Sequence, residues 1–316
     1  MQRCNHNSAG LAYDARRILP QTLMNHKTTI VFVTYNSGHL VSQFLSGLSD
    51  FPVIVVDNAS KDDTCVQIEQ HFPSVKLIKN TVNIGYGRAA NQAFAEIDTE
   101  LGLLVNPDTT FVAADVAALE QTTEPLNDRW LFVAPNTEKS NRTEQTSEQI
   151  TQSTATFKLD AVDFAGGAAM LFNMATFRSL NGFDENIFLY FEETDLCERA
   201  KKQHLAMYRC DAIRFPHEWG QSSKPSTAIE QLKQWHYDWS ALYFAKKHQF
   251  WTRFLPMIVK RLLIYPVKLR FSHLNGDKKL TYLCRLDSAR AHWAGRNAFV
   301  AGQPFVPDFS NSLQDR

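Results

Sequence analysis

At 316 residues, with 44% apolar and 21% charged side chains, the chain is ordinary for a soluble globular protein and has room for one large domain, or one domain plus an appendage. Its 33 basic and 33 acidic residues cancel, yet residues 246–296 hold twelve Lys/Arg against Asp277 and Asp287 alone, and a basic tail on an acidic body points to an anionic partner. Five scattered cysteines without a CxxC pair argue against a disulfide framework and a zinc site and suit a reducing cytosol; the longest apolar runs, such as Phe254 to Tyr265, are broken by Lys260 and Arg261 and are too short to span a bilayer.

Residues 1–27 are polar and irregular, lack the apolar core of a signal peptide, and read as a flexible lead-in. The nearly continuous apolar run from Thr29 to Tyr35 predicts a strand covered on both faces, then a turn at Asn36-Ser37 and a helix over His39 to Leu48. A second buried strand, Val53 to Asp57, leads through a polar turn to a helix ending near His71, and a third strand is expected at Val75 to Lys79. The glycine loop Asn83 to Arg88 opens a helix over Ala89 to Ile97, and a fourth strand, Leu101 to Val105, ends at Asn106-Pro107-Asp108. Such alternation predicts a parallel sheet with right-handed crossovers, whose ligand crevice is lined by polar residues just past the strand C-termini. Asp57, Asn83 to Arg88 and Asp108 all fall at such ends.

Glu138 to Ser153 is rich in polar residues and reads as a mobile surface loop. The paired glycines Gly166 and Gly167 admit close approach of a ligand or another strand, and strand-like segments follow near Ala206 to Arg209 and Ala212 to Pro216. Beyond Ser226 the pattern turns helical. Leu232, Trp235, His236, Trp239, Leu242 and Tyr243 share one face, and Phe254 to Arg270 and Leu280 to Trp293 predict amphipathic helices with basic polar faces. Helices of this kind lie in a bilayer interface, fold back as a basic cap, or pair two copies of a chain.

Chemistry concentrates in Gly182 to Arg199, where Asp184, Glu185, Glu192, Glu193, Asp195 and Glu198 are threaded among Phe183, Phe188, Leu189, Tyr190 and Phe191. Carboxylates against aromatic walls are desolvated, which raises their pKa and suits them to proton abstraction. The plainer alternative is a helix N-terminus near Glu193, where acids meet free amides; both can hold at once. Asp57 suits hydrogen bonding to a nucleobase, Asp108 a divalent cation on a diphosphate with His217 completing the shell, and Arg88 a phosphate. Each has a structural alternative: Asp57 as a turn former, Asp108 as a helix cap, His217 as a satisfied core histidine.

Seven segments, taken in order, carry a resemblance: Val33 to Ser37, Val56 to Asp62, Asn83 to Asn91, Leu104 to Asp108, Gly166 to Leu171, Asn181 to Asp184, and Phe188 to Arg199. Over roughly residues 28–250 they resemble the family 2 inverting glycosyltransferases of the GT-A fold, with the closest likeness to bacterial rhamnosyltransferases of O-antigen and cell-wall polysaccharide synthesis. The resemblance implies an α/β chain with a Rossmann-like, mostly parallel central sheet over residues 28–225 and a basic helical C-terminal extension over 226–316. Its nucleotide-sugar half would be 28–135 and its acceptor half 156–225.

The resemblance further implies a donor site of Thr34, Tyr35, Asn36, Asp57, Asn83, Gly85, Arg88, Asn106, Asp108, Gly166 and Gly167, with Asp57 recognising the base of a dTDP- or UDP-sugar. Asp108 and His217 would hold Mg²⁺ or Mn²⁺ on the donor diphosphate, and Glu193 would be the catalytic base. Asn106 stands where the family's metal motif has its first acid, so weaker metal affinity is expected. Glu193 stands where relatives of this subgroup usually carry Asp, which keeps Glu192 and Asp195 as alternative catalytic residues. In the implied reaction Glu193 deprotonates an acceptor hydroxyl, which displaces the nucleotide in one inverting step. The expected setting is cytoplasmic, peripheral on the inner face of the cytoplasmic membrane, with rhamnose the favoured sugar, a glycan or lipid-linked glycan acceptor and no nucleic-acid partner. A homodimer is the other use of the basic tail. Two further readings compete: a nucleotidyltransferase, which would want a phosphate loop that Thr34 to Ser37 lacks, and a binding or scaffold protein that kept the fold without catalysis.

Overall fold

The structure, a computed structural model, describes residues 26–138, 157–218, 226–271, 274–300 and 302–309, together with Gly220 and Ser222. The lead-in expected over residues 1–27 and the loop expected at Glu138 to Ser153 lie almost wholly outside them. Two interleaved apolar sets account for the centre of the fold. β1 (Thr28–Thr34), β2 (Val53–Asp57) and β4 (Leu101–Val105) are buried at every position. Ile30, Phe32, Val53, Val55, Leu103 and Val105 enter one core; Val31, Val33, Ile54, Val56 and Leu104 enter the other. A side-chain period of two makes this the pattern of a sheet covered on both faces.

With β3 (Lys76–Lys79) these strands pair in parallel. β7 (Ala169–Asn173) runs antiparallel between β4 and β5 (Trp130–Asn136). β8 (Ala206–Arg214) lies parallel to β5, and β6 (Asp160–Ala161) closes that edge antiparallel. The full order is β3-β2-β1-β4-β7-β5-β8-β6. The two segments expected near 206–216 are one strand, because pairing with β5 continues past the register shift at Pro135/Asn136.

The crossovers carry α1 (Val41–Leu45), α2 (Thr64–His71), α3 (Tyr86–Ala95) and α4 (Ala113–Gln121), followed by α5 (Met174–Ser179) and α6 (Glu192–Lys202). α1 is shorter than its apolar spacing predicts, since Gly47 at φ 79° turns the chain out of the helix. α3 starts at Tyr86 rather than Ala89. Gly85 adopts φ 91°, and a Cβ there would overlap the carbonyl oxygen of Phe188, which accepts from the Tyr86 N–H at 3.0 Å. Only glycine fits this approach.

The C-terminal region consists of α7 (Thr227–Lys247), α8 (Trp251–Val259), a π turn at Lys260–Ile264, α9 (Tyr265–Phe271) and α10 (Gly276–Trp293), then a short hairpin of β9 (Phe299–Val300) and β10 (Gln303–Pro304). Trp235 and Trp239 of α7 pack with Phe188, Cys284, Ala291 and Ala298, so this region shares a core with the acidic stretch. Part of the tail's positive charge is neutralised internally: Lys247 bridges Asp184 and Asp195, each at 2.6 Å, and Arg261 bridges Asp238 at 2.5 Å. The anionic partner expected for the tail is thus, in part, the chain's own acidic body. No helix among the described residues is long and apolar enough to cross a membrane.

Candidate active site

The carboxyl ends of β1, β2 and β4 supply the first wall. Asp57, the last residue of β2, is 2% exposed and accepts from the Thr34 hydroxyl at 3.0 Å and the Ser60 amide at 2.9 Å. Asn36 accepts from the Lys61 amide at 2.8 Å, and the Tyr35 amide donates to the Ser37 hydroxyl at 3.3 Å. Asn58 ties this turn to the glycine loop: its amide donates to Asn83 Oδ1 at 2.8 Å and to the Gly85 carbonyl at 3.1 Å, and its Oδ1 accepts from the Ile84 amide at 3.0 Å.

The second wall follows β4. The Asn106 amide donates to the Ala168 carbonyl at 2.9 Å, and Thr109 forms a bridge with His217, which carries the segment after β8 across to Asp108. Asp108, 1% exposed, has His217 Nε2 at 3.1 Å and accepts from the Ser222 hydroxyl at 2.6 Å. Asn106 Oδ1 accepts from the Tyr86 phenol at 2.9 Å, and its amide nitrogen lies 3.5 Å from His217 Nε2. A polar chain therefore runs from Tyr86 through Asn106 and His217 to Asp108.

The third wall is the start of α6. Tyr190 and Phe191 are consecutive non-glycine residues in the left-handed region, φ 65° and 73°. That conformation is costly for large side chains and reverses the chain abruptly. The Asp195 N–H then closes the first helical turn on the Phe191 carbonyl at 2.8 Å. Glu192 is 3% exposed, and its Oε1 has no hydrogen-bond partner among the described residues. The Gly167 N–H donates to the Glu193 carboxylate, which sits where a Cβ on Gly167 would touch it at 3.4 Å; around Gly166 the space is open. Burial raises both carboxyls above the usual range, and the neighbouring Glu193 charge raises Glu192 further. The Tyr86 phenol is pushed up by burial first, then by Glu192, Glu193 and Asp108 acting together. The charges of three carboxylates thus bear on one hydroxyl. Among the described residues no Lys or Arg is hydrogen-bonded to either glutamate, so no ion pair offsets the effect of burial on the two carboxyls.

Two candidates point elsewhere. Asp195 is fully buried but bonds Arg199 at 2.7 Å, Lys247 at 2.6 Å and His248 at 2.7 Å. With its oxygens occupied by cations it docks α7 onto α6, and this takes it out of the candidate bases. Arg88 does not turn to a phosphate position: its Nε donates to the Glu185 carbonyl at 2.6 Å and its guanidinium stacks 3.7 Å over the Phe299 ring. The helix start at Tyr86 places Arg88 within the first turn, on the side facing the C-terminal hairpin. Three crevice residues escaped the sequence reading. Asn58 and Tyr86 lay inside motifs already singled out, adjacent to Asp57 and Gly85. Ser222 gave no local signal, since its role depends on the bridge between Thr109 and His217.

Among the described residues no group of three or more His, Cys, Asp and Glu side chains is arranged for a metal. Asp108 and His217 offer one carboxylate and one imidazole. That pair fits Mg²⁺ or Mn²⁺ only if ligand oxygens and water fill the remaining positions, since such ions take about six donors. The site suits a cation shared with a diphosphate rather than one caged by the protein.

Residues 29–179 match the family described as Glycosyl transferase family 2. The N-acetylglucosaminyl-diphospho-decaprenol L-rhamnosyltransferase of Mycobacterium tuberculosis is 23% identical over 271 residues, covering 71% of this chain and 86% of that protein. Rhamnosyltransferase WbbL of Escherichia coli K12 is 23% identical over 255 residues, covering 69% and 92%. Among solved structures, the mannosyltransferase PcManGT from Pyrobaculum calidifontis, in complex with GDP-Man and Mn²⁺, superposes with a TM-score of 0.51 at 14% identity, over 85% of this chain and 74% of that one. S. aureus TarS 1–349 in complex with UDP does so with a TM-score of 0.50 at 14% identity, over 90% and 97%. With its polar motifs in order at the strand ends of that shared fold, the chain is a glycosyltransferase whose residues 29–179 match family 2.

Proposed function

We propose that the chain transfers a sugar, rhamnose before other hexoses, from a dTDP- or UDP-sugar to a lipid-linked glycan with inversion of configuration, in surface polysaccharide synthesis such as that of O-antigen. The observation that carries this reading is the pair of the buried Glu192 and the half-buried Glu193, the latter against Gly167, with no Lys or Arg bonded to either among the described residues. Rhamnose is supported by the two relatives named as rhamnosyltransferases. The work would be done on the inner face of the cytoplasmic membrane.

In this reading Asp57 accepts from the nucleobase, and Thr34, braced against it, holds its carboxylate in place. Tyr35, Asn36, Asn83 and Gly85 shape the nucleoside pocket, while Asn106, Gly166 and Gly167 leave room for the sugar. Glu193, oriented by the Gly167 amide, takes the proton of the acceptor hydroxyl as it attacks the anomeric carbon from the face opposite the nucleotide. Glu192, held largely protonated beside it, keeps a second negative charge out of the pocket. A divalent cation, Mg²⁺ or Mn²⁺, on Asp108 and His217 would offset charge on the departing diphosphate. One displacement suffices, with no covalent enzyme intermediate.

Thermal unfolding against a panel of nucleotide sugars, with and without Mg²⁺ or Mn²⁺, tests the donor site. Metal-dependent stabilisation by one donor in the wild type, lost in Asp108→Ala, is the expected result. No stabilisation by any nucleotide under any metal condition would move the reading to a scaffold that kept only the fold.

A further inference from the structure

The run Trp251–Phe271 presents six large apolar residues, four apart, to solvent: Trp251, Leu255, Val259, Leu263, Val267 and Phe271, from 48% exposed at Trp251 to 79% at Phe271. Its inner face is already satisfied, since Phe254, Ile258, Arg261 and Tyr265 are buried and Arg261 is bonded to Asp238. In a regular α-helix a four-residue step advances by about 40°, so five such steps would wind the line around to the buried side. The π turn prevents this. There the Tyr265 N–H reaches back to the Lys260 carbonyl rather than to Arg261, which widens the turn and rotates the line back. Pro266 supplies the cause: it has no N–H for the Leu262 carbonyl, and its ring crowds that carbonyl.

The same run holds five Lys/Arg and no Asp or Glu, and Arg253, Lys260, Lys268 and Arg270 are exposed beside the apolar line. We propose that this face docks on an anionic lipid bilayer, lying in the interface with its apolar line in the acyl boundary and its bases among the headgroups. Charge selects this occupant over a second copy of the chain, whose matching face would bring a second set of cations and no acid to meet the first. At about 1.5 Å per residue, the 21 residues form a rail of about 32 Å. The inference deepens, and for its purpose rests on, the reading of a membrane-carried acceptor.

The test is co-sedimentation of the full chain with vesicles of phosphatidylcholine alone and of phosphatidylcholine with phosphatidylglycerol, in the absence of donor. Binding to the anionic vesicles that weakens with salt is expected. Leu263→Glu with Val267→Glu should lower the partition coefficient by more than about tenfold, and Lys260→Ser and Lys268→Ser by about fivefold each. Wild type left in the supernatant with both vesicle types, undiminished pelleting of the double Glu variant, or a solution dimer that this variant splits would each overturn the proposal. The nucleotide thermal shift is read on the same variants and should not change. Its absence in a wild type that still binds vesicles would sink the donor reading alone.

Discussion

The crevice at the strand ends and the seams that α7 makes with its neighbours treat carboxylates in opposite ways. At those seams they meet cations: Asp184 takes Lys247 at 2.6 Å and the Tyr243 phenol at 2.8 Å, and although burial pushes its carboxyl up, these bonds hold it down at about 2. Asp195 and Asp238 are bridged by Arg199, Lys247, His248 and Arg261. In the crevice, Glu192 and Glu193 lie eight and nine residues beyond Asp184 with no cation bonded to them among the described residues, and burial raises both carboxyls. A compensated charge holds structure together; an uncompensated one stores a proton preference that chemistry can use.

The sharpest way to break this comparison is to neutralise one acid from each region. Glu193→Gln keeps shape and removes the proposed base, so transfer should fall by about 10²–10⁴-fold with donor binding kept, measured by single-turnover assay beside the thermal shift. An unchanged rate would show that the pair is not where the proton goes. Asp195→Ala should act the other way. Leaving His248 and parts of Arg199 and Lys247 unpaired costs about 3 kcal/mol in chemical denaturation, at the low end for a broken buried pair because the two long side chains keep some water. A fully folded, inactive Asp195→Ala would return it to the candidate bases.

A smaller effect, sorted by region, should appear with pH. Burial lowers His236 and His292 from 6.5 to about 4, so both are neutral when folded and take up protons once unfolded. The stability they contribute is present near neutral pH and is lost as pH falls from about 6.5 toward 4; that of Asp184, whose carboxyl is depressed, is lost lower still, from 3.8 toward 2. The raised glutamates have the opposite sign, since the folded crevice binds their protons first and is favoured by acidification down to the ordinary 4.5. Hydrogen exchange between pH 6.5 and 4.5 should therefore loosen α7 and α10 while protection around Glu192 holds. Uniform loosening of both regions would contradict the division.

How much of this was legible depends on the range of the interactions. The bounds of β2 and β4 follow from their apolar runs, because a strand buried on both faces needs nothing but its own side chains to declare itself. Placing Asp57 and Asp108 at strand ends needed only the order of the elements. Telling Glu193 from Asp195 was out of reach: the two lie on one helical turn, and the difference is made by Lys247 and His248, more than 50 residues on. Arg88 failed for the same reason, captured by Phe299 from the far end of the chain. The apolar spacing over Phe254 to Arg270 declares a helix but not the wider turn inside it at Lys260–Ile264.

The clamp of Tyr243 and Lys247 on Asp184, with Lys247 and His248 on Asp195, has a consequence for dissection of the gene. The motif segments end before α7, so a boundary drawn at 225/226 looks natural for expressing a minimal enzyme. Cutting there would strip both aspartates of their α7 partners and bare Phe188, whose carbonyl seats the glycine loop. The part that looks like an accessory is the counterweight that holds the start of α6, and with it the proposed base, in register, so the two regions are expected to tolerate transplanting or truncation only as one unit.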